Sequence, residues 1–423
     1  MAELNATEAA ARLGVKKATL YAYVSRGLLH RRVALDGRTS LFDSDELDEL
    51  RTGRRRVADG EVGTLISTGV TDVADGSVTV AGLDLIALAR SGVGFEAVAE
   101  LLWAGAAASG GSATPAEPTG PARWRRDGEA CALAVRVAAA LGPDAAAIER
   151  LRVACAAVST GDPLRSDLSP AGVAAAGRRL LPASIAALGA ARPDADTVDT
   201  ATATDTAAGS VAPAVADALW PCLSPLPATA ERVRCLDTAL VLLSDHGMAT
   251  STFGARIAAS VRADPYAVVA AGLGVVGGAL HGAASHEVHR LVVAAAEGDP
   301  AEVIGDARRR LGWFPGYGHS IHRTCDPRAG VLFDAIDAAW NDDPRLEVVA
   351  ALRAIVAERT DAVENIDLAL GTFTWLAAMD DRAGEAIFAI ARTAGWLAHA
   401  IEEYAEAPLR FRPRPRYTGP RPR

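Results

Sequence analysis

The sequence predicts a mainly α-helical protein in which a small N-terminal helical unit precedes a much larger helical body. Of the 423 residues, 50% are hydrophobic and 22% are charged, the composition of a globular chain long enough for two or three folded units. Beyond residue 82 the apolar residues recur mostly with helical spacing, as in Phe95, Val98 and Leu102. The alternating run Ser77–Val80 is an exception and predicts a small β element.

The first two helices are expected within residues 4–51. Thr7 is a candidate N-cap for a helix that ends at Gly14. A second helix is expected from about Lys17 and ends at Gly27. Two short helices that meet across a glycine turn form the arrangement in which a recognition helix enters the major groove of DNA.

A basic hairpin with an Asp36-Gly37 turn is expected next, followed by an acidic helix over residues 44–50. This stretch resembles the winged helix-turn-helix of the MerR and excisionase families in the pieces Leu13-Gly14-Val15, Thr19-Leu20-Tyr21 and Gly27-Leu28-Leu29. The resemblance implies a winged helix-turn-helix over residues 1–52, with a linker over 53–61. The candidate DNA contacts are Lys16, Lys17, Thr19, Tyr21, Arg31 and Arg32.

The charge of this unit leaves its partner open. Over residues 1–60 there are eleven basic and nine acidic residues, whereas the whole chain has a net charge of −9. Because DNA affinity comes mainly from phosphate neutralisation, so small a local excess needs dimerisation to double the contacts. A three-helix protein interaction module is the alternative. The acidic remainder of the chain argues against a polybasic protein dedicated to nucleic acid or membrane.

Cysteine spacing and hydropathy argue against a zinc-binding or redox protein, a secreted protein and a membrane-spanning protein. The five cysteines lack the CxxC spacing of a zinc or redox site, and we expect reduced thiols in a cytoplasm. The N-terminus has no apolar segment behind a basic start. In the charge-free run 265–285, glycines interrupt the pattern well short of the about 20 apolar residues that a membrane span needs. We therefore predict a cytoplasmic protein without a membrane segment.

Six of the eight histidines lie between residues 246 and 322, beside glycine-rich turns. Imidazole donates hydrogen bonds and transfers protons near neutral pH, so this cluster is a candidate catalytic site. A metal site is the first alternative, but His286 and His289 are three residues apart rather than the four of the zinc-binding helix motif. The run Gly272–Gly277 has dinucleotide-loop spacing but lies in an apolar helical pattern. We predict no metal site.

Several runs around these histidines form a specific pattern. They are Leu243-Ser-Asp-His246-Gly-Met-Ala-Thr-Ser-Thr-Phe253, Leu280-His281-Gly-Ala-Ala-Ser-His-Glu287, Gly316-Tyr-Gly-His319-Ser-Ile-His-Arg323-Thr-Cys-Asp-Pro-Arg328, Asn365-Ile-Asp367 and Ile390-Ala-Arg392. The runs resemble the signatures of the citrate synthase family in their order and spacing. Arg412-Pro413-Arg414 extends the resemblance, which spans about residues 62–420.

The resemblance implies a reaction and the residues that perform it. Asp367 would take a proton from the methyl group of acetyl-CoA, His281 would stabilise the enol, and His319 would polarise the ketone of oxaloacetate. The resemblance also implies substrate-binding roles for His246, Arg328, Arg392 and Arg412, and contact of Arg323 with coenzyme A phosphates. No metal or other cofactor is implied. Because Arg412 matches an arginine that the neighbouring subunit lends in the family, a homodimer is implied.

The family's architecture implies an all-helical body of two domains. The predicted large domain covers residues 62–280 and 371–423, the latter with a C-terminal arm, and the small domain covers 281–370. The chain departs from the family pattern at Gly247, Ala249 and Ser285.

These departures lie beside the reactive groups and bear on rate and acceptor preference more than on the reaction class. Acetyl-CoA and propionyl-CoA, the substrate for 2-methylcitrate, are alternatives, because the choice depends on the volume of a pocket whose residues the sequence does not identify. The alternative from another class is a transcription regulator whose citrate-synthase-like body senses a metabolite.

Overall fold

The computed structural model divides into two compact units, residues 1–67 and 68–423. It describes residues 3–25, 29, 31–33, 39–44, 47, 66–108, 115–118, 120, 122–190, 211–278, 281–282, 284–412 and 419. The first unit contains the expected N-terminal module. The narrower limits predicted for that module, its linker and the two domains of the body stay predictions.

The first unit combines two helices with a small antiparallel sheet. Its described elements are β1 (Glu3–Asn5), α1 (Ala6–Leu13), α2 (Lys17–Ser25), β2 (Arg32–Val33) and β3 (Ser40–Asp43). β3 is the central strand and pairs antiparallel with both of the others. The buried apolar side chains of the unit are Ala9, Ala10, Leu20, Leu29, Phe42 and Leu47.

The start of α1 corrects one prediction, because Asn5 and not Thr7 is the N-cap. The Asn5 side chain accepts the backbone N–H groups of Thr7 (2.9 Å) and Glu8 (3.2 Å), and the Glu8 carboxylate accepts the Asn5 N–H at 2.9 Å. This reciprocal capping box begins the helix earlier than the sequence indicated. Gly14 ends α1 as predicted, with φ at 68°. The predicted Asp36-Gly37 turn and most of the predicted helix over 44–50 lie outside the described residues.

The second unit begins with a three-stranded antiparallel sheet, in the order β4 (Thr71–Ala74), β5 (Ser77–Val80) and β6 (Leu83–Asp84). This sheet confirms the predicted β element. The other regular elements described there are helices: α3 (Leu85–Ser91), α4 (Phe95–Ala108), α5 (Gly128–Ala139), α6 (Ala147–Thr160), α7 (Pro170–Gly189), α8 (Val215–Leu223), α9 (Ala230–Leu243), α10 (Thr250–Ser260), α11 (Pro265–Val276), α12 (Ala284–Glu297), α13 (Pro300–Leu311), α14 (Pro327–Trp340), α15 (Arg345–Ala357), α16 (Ile366–Leu376) and α17 (Ala383–Ala405).

Helix α17 is the centre of the body and packs against α4, α7, α9, α10 and α11. Small residues permit the close approach. A Cβ added at Gly272 of α11 would lie 2.5 Å from the indole of Trp396. The run Gly272–Gly277 is therefore the packed end of a helix and not a phosphate-binding loop. Among the residues described above, no helix is long and apolar enough to cross a membrane.

A buried guanidinium joins α10 to α17. Arg256 is fully buried, and its Nε lies 2.9 Å from Glu403 Oε2 while its Nη1 lies 2.8 Å from Glu402 Oε2. Glu402 also accepts the Thr68 hydroxyl at 2.8 Å and the Gly69 N–H at 2.7 Å. The segment just before β4 is thereby fixed to the central helix α17.

The Arg256 guanidinium is also linked, through His399, to Asp245, the residue before His246. Arg256 Nη1 lies 3.0 Å from His399 Nδ1, and His399 Nε2 lies 3.3 Å from Asp245 Oδ2. A guanidinium can only donate, so Nδ1 accepts and Nε2–H points to the carboxylate. Thr71 Oγ1 donates to the same oxygen at 2.5 Å. Burial alone would raise the pKa of Asp245, but His399, Arg392 and Thr71 together lower it.

Replacement of this buried cation should destabilise the body. We expect Arg256→Met to lower the free energy of unfolding by about 3–5 kcal/mol, because two buried carboxylates lose the cation between them. Urea unfolding followed by tryptophan fluorescence measures the body selectively, since all seven tryptophans lie beyond residue 68.

Arg90→Met is the matched control. Arg90 and Asp334 form an exposed ion pair at 3.5 Å, and removing it should change stability by no more than about 1 kcal/mol. Equal unfolding midpoints for the two variants would contradict the prediction.

Candidate active site

Two chain segments pair to bring the glycine-rich turn before His319 to the start of α16. Gly318 N–H donates to Val363 O at 2.8 Å, and Asn365 N–H donates to Gly316 O at 3.0 Å. Gly316 has φ at 81°, and a Cβ there would lie 2.9 Å from the Cα of Leu368, so only glycine fits.

The same pairing positions Asp367. Asn365 donates through Nδ2 to Gly318 O at 2.9 Å and caps α16 by accepting Asp367 N–H at 3.0 Å. This places His319 and Asp367 immediately beyond the same short backbone pairing.

Three imidazoles form a cluster beside this pairing. The ring centroids of His246 and His319 are 5.2 Å apart, those of His246 and His322 are 5.2 Å apart, and those of His319 and His322 are 4.7 Å apart. The Nε2 atoms of His246 and His322 are separated by 3.0 Å. His246 and His319, both predicted to bind oxaloacetate, are therefore adjacent, and His322 was not predicted to join them.

The backbone fixes the tautomer of His319. Its Nδ1 accepts the N–H groups of Ile321 and His322, each at 3.0 Å. A backbone N–H can only donate, so the proton of the neutral ring resides on Nε2. His319 can thus present an N–H donor to a ligand oxygen.

The two predicted carboxylate-binding arginines are buried, with Arg328 3% and Arg392 1% exposed. Arg328 donates through Nε (2.9 Å) and Nη2 (2.8 Å) to Asp326. Arg392 donates through Nε to Leu243 O at 2.9 Å and stacks over the ring of Phe388 at 4.5 Å. Within the described parts of the chain, no protein acceptor is found for Arg328 Nη1 or for the two terminal nitrogens of Arg392. Buried guanidinium N–H groups without acceptors are suited to an anionic ligand.

Burial and the positive charges of the arginines keep His246 and His319 neutral. Burial, together with the charge of Arg328, lowers the pKa of His319 to about 4. Burial also lowers the pKa of His246 well below its usual range, with added effects of Arg328 and Arg392. Burial lowers the pKa of Arg392 to about 10, so that side chain remains charged at neutral pH. The cluster therefore combines fixed cations with neutral hydrogen-bonding rings.

Asp367 has the opposite shift. Burial raises the pKa of this partly buried carboxyl to about 6, against the lowering effect of Arg328. The group is ionised at neutral pH and is more basic than an ordinary aspartate. This environment suits a general base.

His281 lies at another edge of the candidate site. Its Nε2 accepts the Ser251 N–H at 3.3 Å and is 2.8 Å from Ser251 Oγ, which leaves Nδ1 protonated in the neutral ring. Burial lowers its pKa, and Arg392 adds to the effect. The ring contacts Phe388 edge-on at 5.6 Å, so His281 and Arg392 share one aromatic neighbour. No hydrogen bond joins His281 to His319 or Asp367 among the residues that the structure describes.

The last two predicted ligands are exposed. The Arg323 side chain faces solvent, while its backbone N–H donates to Asp75 at 2.8 Å. Arg412 is also exposed and follows Phe411, whose ring packs against Phe253 at 5.3 Å. Neither arginine contacts the imidazole cluster in the described part of this single chain.

The predicted DNA contacts lie in the first unit. Lys16 and Lys17 are exposed at the start of α2 and are the only lysines of the chain, and Arg31 is exposed before β2. Thr19 is partly buried. Tyr21 donates to Ser40 Oγ at 3.2 Å and packs on Phe42, so it also supports the unit's own structure. Arg32 lies in β2, and its side chain falls outside the described residues.

Sequence reasoning missed Ser251, His322, Asp326 and Asn365. Each lies inside a motif that was noted, and Asp326 precedes Arg328 at the spacing of a local ion pair. The contacts of Ser251 and His322 join residues at least 30 positions apart, so no local pattern marks them. In the described ranges, no group of three histidine, cysteine or carboxylate side chains is arranged so that it could hold a metal ion.

Comparisons with known proteins identify the family of the chain. Residues 60–414 match the family model for the citrate synthase C-terminal domain. The chain belongs to the citrate synthase family. Residues 3–55 match a helix-turn-helix domain model, in agreement with the predicted N-terminal module.

The relatives of this citrate synthase-family chain are moderately similar. It is 35% identical to the citrate synthase of Haloferax volcanii over 188 residues, which cover 43% of this chain and 49% of the relative. It is 31% identical to the 2-methylcitrate synthase of Mycobacterium tuberculosis over 204 residues, which cover 47% and 51%. The chain thus spans about half the length of the curated relatives it matches.

A solved structure shares the fold. The ternary complex of carboxymethyl coenzyme A and oxaloacetate with the citrate synthase of Thermoplasma acidophilum has a TM-score of 0.63 and 20% identity. The match covers 87% of this chain and 97% of that one. The predicted fold class, a mainly helical citrate-synthase-like body behind a small helix-turn-helix unit, is therefore confirmed.

Proposed function

We propose that this protein condenses acetyl-CoA with oxaloacetate to form citrate and free CoA. The observation that carries the proposal is the pair of buried arginines, Arg328 and Arg392, with terminal N–H groups beside neutral histidines. Such a pocket favours a small ligand with two carboxylates, and each guanidinium can bind one of them. Oxaloacetate has two carboxylates and is a ligand in the Thermoplasma acidophilum complex.

The proposed reaction uses three groups. Asp367 takes a proton from the methyl carbon of acetyl-CoA, while His281 Nδ1–H donates a hydrogen bond to the thioester oxygen. The enol carbon then forms a bond to the ketone carbon of oxaloacetate, while the ketone oxygen takes the Nε2 proton of His319 and becomes the tertiary hydroxyl group. Release of the proton held by Asp367 and reprotonation of His319 restore both groups. Water hydrolyses the resulting citryl thioester, which releases citrate and the CoA thiol. No metal or cofactor takes part in these steps.

The other predicted ligands complete the proposal. His246 binds oxaloacetate, Arg323 contacts coenzyme A phosphates, and Arg412 reaches the pocket of a second copy in a homodimer. The contacts of the chain just before Arg412 support its proposed role in a homodimer. Arg410 donates to Glu403 at 2.7 and 2.6 Å, which fixes the chain two residues before the exposed Arg412.

The acyl group is proposed to be acetyl, with propionyl as the alternative. The Mycobacterium tuberculosis relative, a 2-methylcitrate synthase, is nearly as similar as the citrate synthases. One additional methylene changes discrimination by only about 1–3 kcal/mol, so the two thioesters must be compared directly.

The deciding experiment measures CoA thiol release from acetyl-CoA and from propionyl-CoA with oxaloacetate. We expect turnover by the full chain, and we expect Asp367→Ala to reduce kcat by at least about 100-fold, the usual contribution of a general base. Asp361→Ala is the matched control, since that exposed aspartate precedes the site and should leave kcat unchanged.

Absence of CoA thiol release by the full chain would contradict the proposed enzymatic activity. If oxaloacetate or an acyl-CoA then still raised the melting temperature, the result would favour a metabolite-sensing regulator.

The pH dependence of turnover should report the ionisation of Asp367. The base must be deprotonated, and its pKa is about 6, so log(kcat/KM) should fall with unit slope below pH 6. Measurement from pH 5 to 9 in a constant-ionic-strength buffer tests this. Values of kcat/KM that stay constant down to pH 5 would contradict the raised pKa of Asp367.

We also propose that the N-terminal unit binds double-stranded DNA. The match to a helix-turn-helix domain and the exposed Lys16 and Lys17 at the start of α2 support this. Backbone N–H groups and cations at a helix N-terminus favour contact with phosphate. A homodimer would present two such units.

Gel retardation at low salt, with fragments that include the chain's own promoter, tests DNA binding. We expect Lys16→Ala with Lys17→Ala to weaken retardation at least about tenfold, and Lys16→Arg with Lys17→Arg to retain it, since phosphate contact depends on charge. Because the chain has no other lysine, protection of these two from acetylation by bound DNA can be read directly by mass spectrometry. Equal retardation of the alanine and arginine variants would refute the assignment.

A further inference from the structure

His322 is the member of the imidazole cluster to which the proposed reaction gives no role. Its ring is fully buried, in contrast to the partly buried His246 and His319. It contacts both of those rings and shares a hydrogen bond with His246. A fully buried imidazole is costly unless its nitrogens are satisfied, so its partners indicate what the ring does.

The far side of the ring is held by the β4–β5 turn. Gly76 N–H donates to His322 Nδ1 at 3.4 Å. The next two residues are fixed to the same turn, because Asp75 accepts the N–H groups of Arg323 (2.8 Å) and Thr324 (3.0 Å) and the Thr324 hydroxyl (2.9 Å). The turn therefore fixes His322 together with the chain that follows it.

These partners determine which ring donates in the hydrogen bond between His322 and His246. Since Gly76 N–H can only donate, Nδ1 of neutral His322 accepts, and its Nε2–H donates to Nε2 of His246. His246 must then carry its own proton on Nδ1. Burial lowers the pKa of His322, Asp326 opposes this shift, and Arg328 adds to it. His322 Nε2 is 3.8 Å from Asp326 Oδ1, so the carboxylate lies near without replacing the bond to His246.

We propose that His322 is a positioning residue for oxaloacetate binding, which holds the ring plane and the Nδ1–H tautomer of His246 through their Nε2–Nε2 hydrogen bond. The inference rests on the proposed function. It extends the site to a third imidazole and to the Asp75-Gly76 turn. Arg323, the proposed coenzyme A contact, is fixed by the same turn, so one structural element serves both substrates.

Three substitutions distinguish the hydrogen bond that Nε2 of His322 makes with His246 from the one that Nδ1 makes with the turn. His322→Gln places an amide near the position of Nε2 and can still donate to His246. His322→Asn places its amide near Nδ1 and can reach only the turn. His322→Leu keeps an apolar side chain of similar size and makes neither bond. His286→Gln is the control, because that histidine bonds the Asp381 carbonyl at 3.2 Å.

Calorimetry with oxaloacetate alone is the primary measurement, followed by KM and kcat with acetyl-CoA saturating. We expect His322→Leu and His322→Asn to raise the Kd and KM for oxaloacetate about tenfold or more, with His322→Gln and His286→Gln within about threefold of the unchanged protein. The KM for acetyl-CoA at saturating oxaloacetate should change less than that for oxaloacetate. If His322→Leu fails to fold, the comparison of Gln with Asn carries the test.

Nitrogen-15 spectra of histidine-labelled protein report the tautomer of His246. A purely structural role of His322 would leave that tautomer unchanged. The ¹⁵N shifts distinguish protonated from unprotonated ring nitrogens, and only eight histidines need assignment. We expect the His246 Nε2 signal to change from acceptor to mixed or protonated character in His322→Leu and to remain unchanged in His322→Gln.

Oxaloacetate binding that is equal in His322→Leu and the unchanged protein would overturn this inference alone. Equal weakening by Gln, Asn and Leu would also overturn it, because packing rather than the hydrogen bond would then be responsible. Absence of oxaloacetate binding by the unchanged protein would instead overturn the proposed function and the inference with it.

Discussion

The buried Arg256 guanidinium is the interaction on which the arrangement of the body depends. A cation removed from water must be matched by nearby anions, and both carboxylates come from consecutive residues of α17. Its third contact, through His399 to Asp245, ends at the residue before His246. The requirement to neutralise one charge therefore fixes α10 and α17 and, through them, the chain that carries His246.

The pocket has the opposite balance, since its cations are only partly matched. Arg328 has Asp326 as a bidentate partner, whereas Arg392 binds a carbonyl and an aromatic face. Beyond the effect of burial, Arg328 lowers the pKa of Arg392, and the two arginines together lower the pKa of His246. A dianionic ligand relieves that excess. The same electrostatics explains why several histidines can gather there: as neutral rings they add hydrogen bonds without adding charge.

Part of this could be predicted from the sequence, because motif spacing singled out His246, His319, Arg328 and Arg392, which the fold brings near one another. Helical periodicity predicted the body, and the glycines at 14 and 316 mark turns that only their backbone freedom allows. What the sequence could not predict are contacts across distant segments, such as His322 with His246 and Asp75 with Thr324. The sequence also offered two N-cap candidates within three residues, and the prediction of Thr7 was wrong because the Asn5 side chain is the one that accepts the N–H groups of Thr7 and Glu8.

The environment of Asp367 shows how opposing effects combine in the proposed chemistry. Its position in the first turn of α16 and its proximity to Arg328 both favour the carboxylate, yet burial raises its pKa to about 6. A stronger base gains driving force for proton abstraction while remaining ionised near neutral pH. Even so, such a base is far weaker than the conjugate base of a thioester methyl group. Transfer of the proton therefore requires simultaneous stabilisation of the enol oxygen, and a neutral His281 with its Nδ1–H unengaged by Ser251 is suited to provide it.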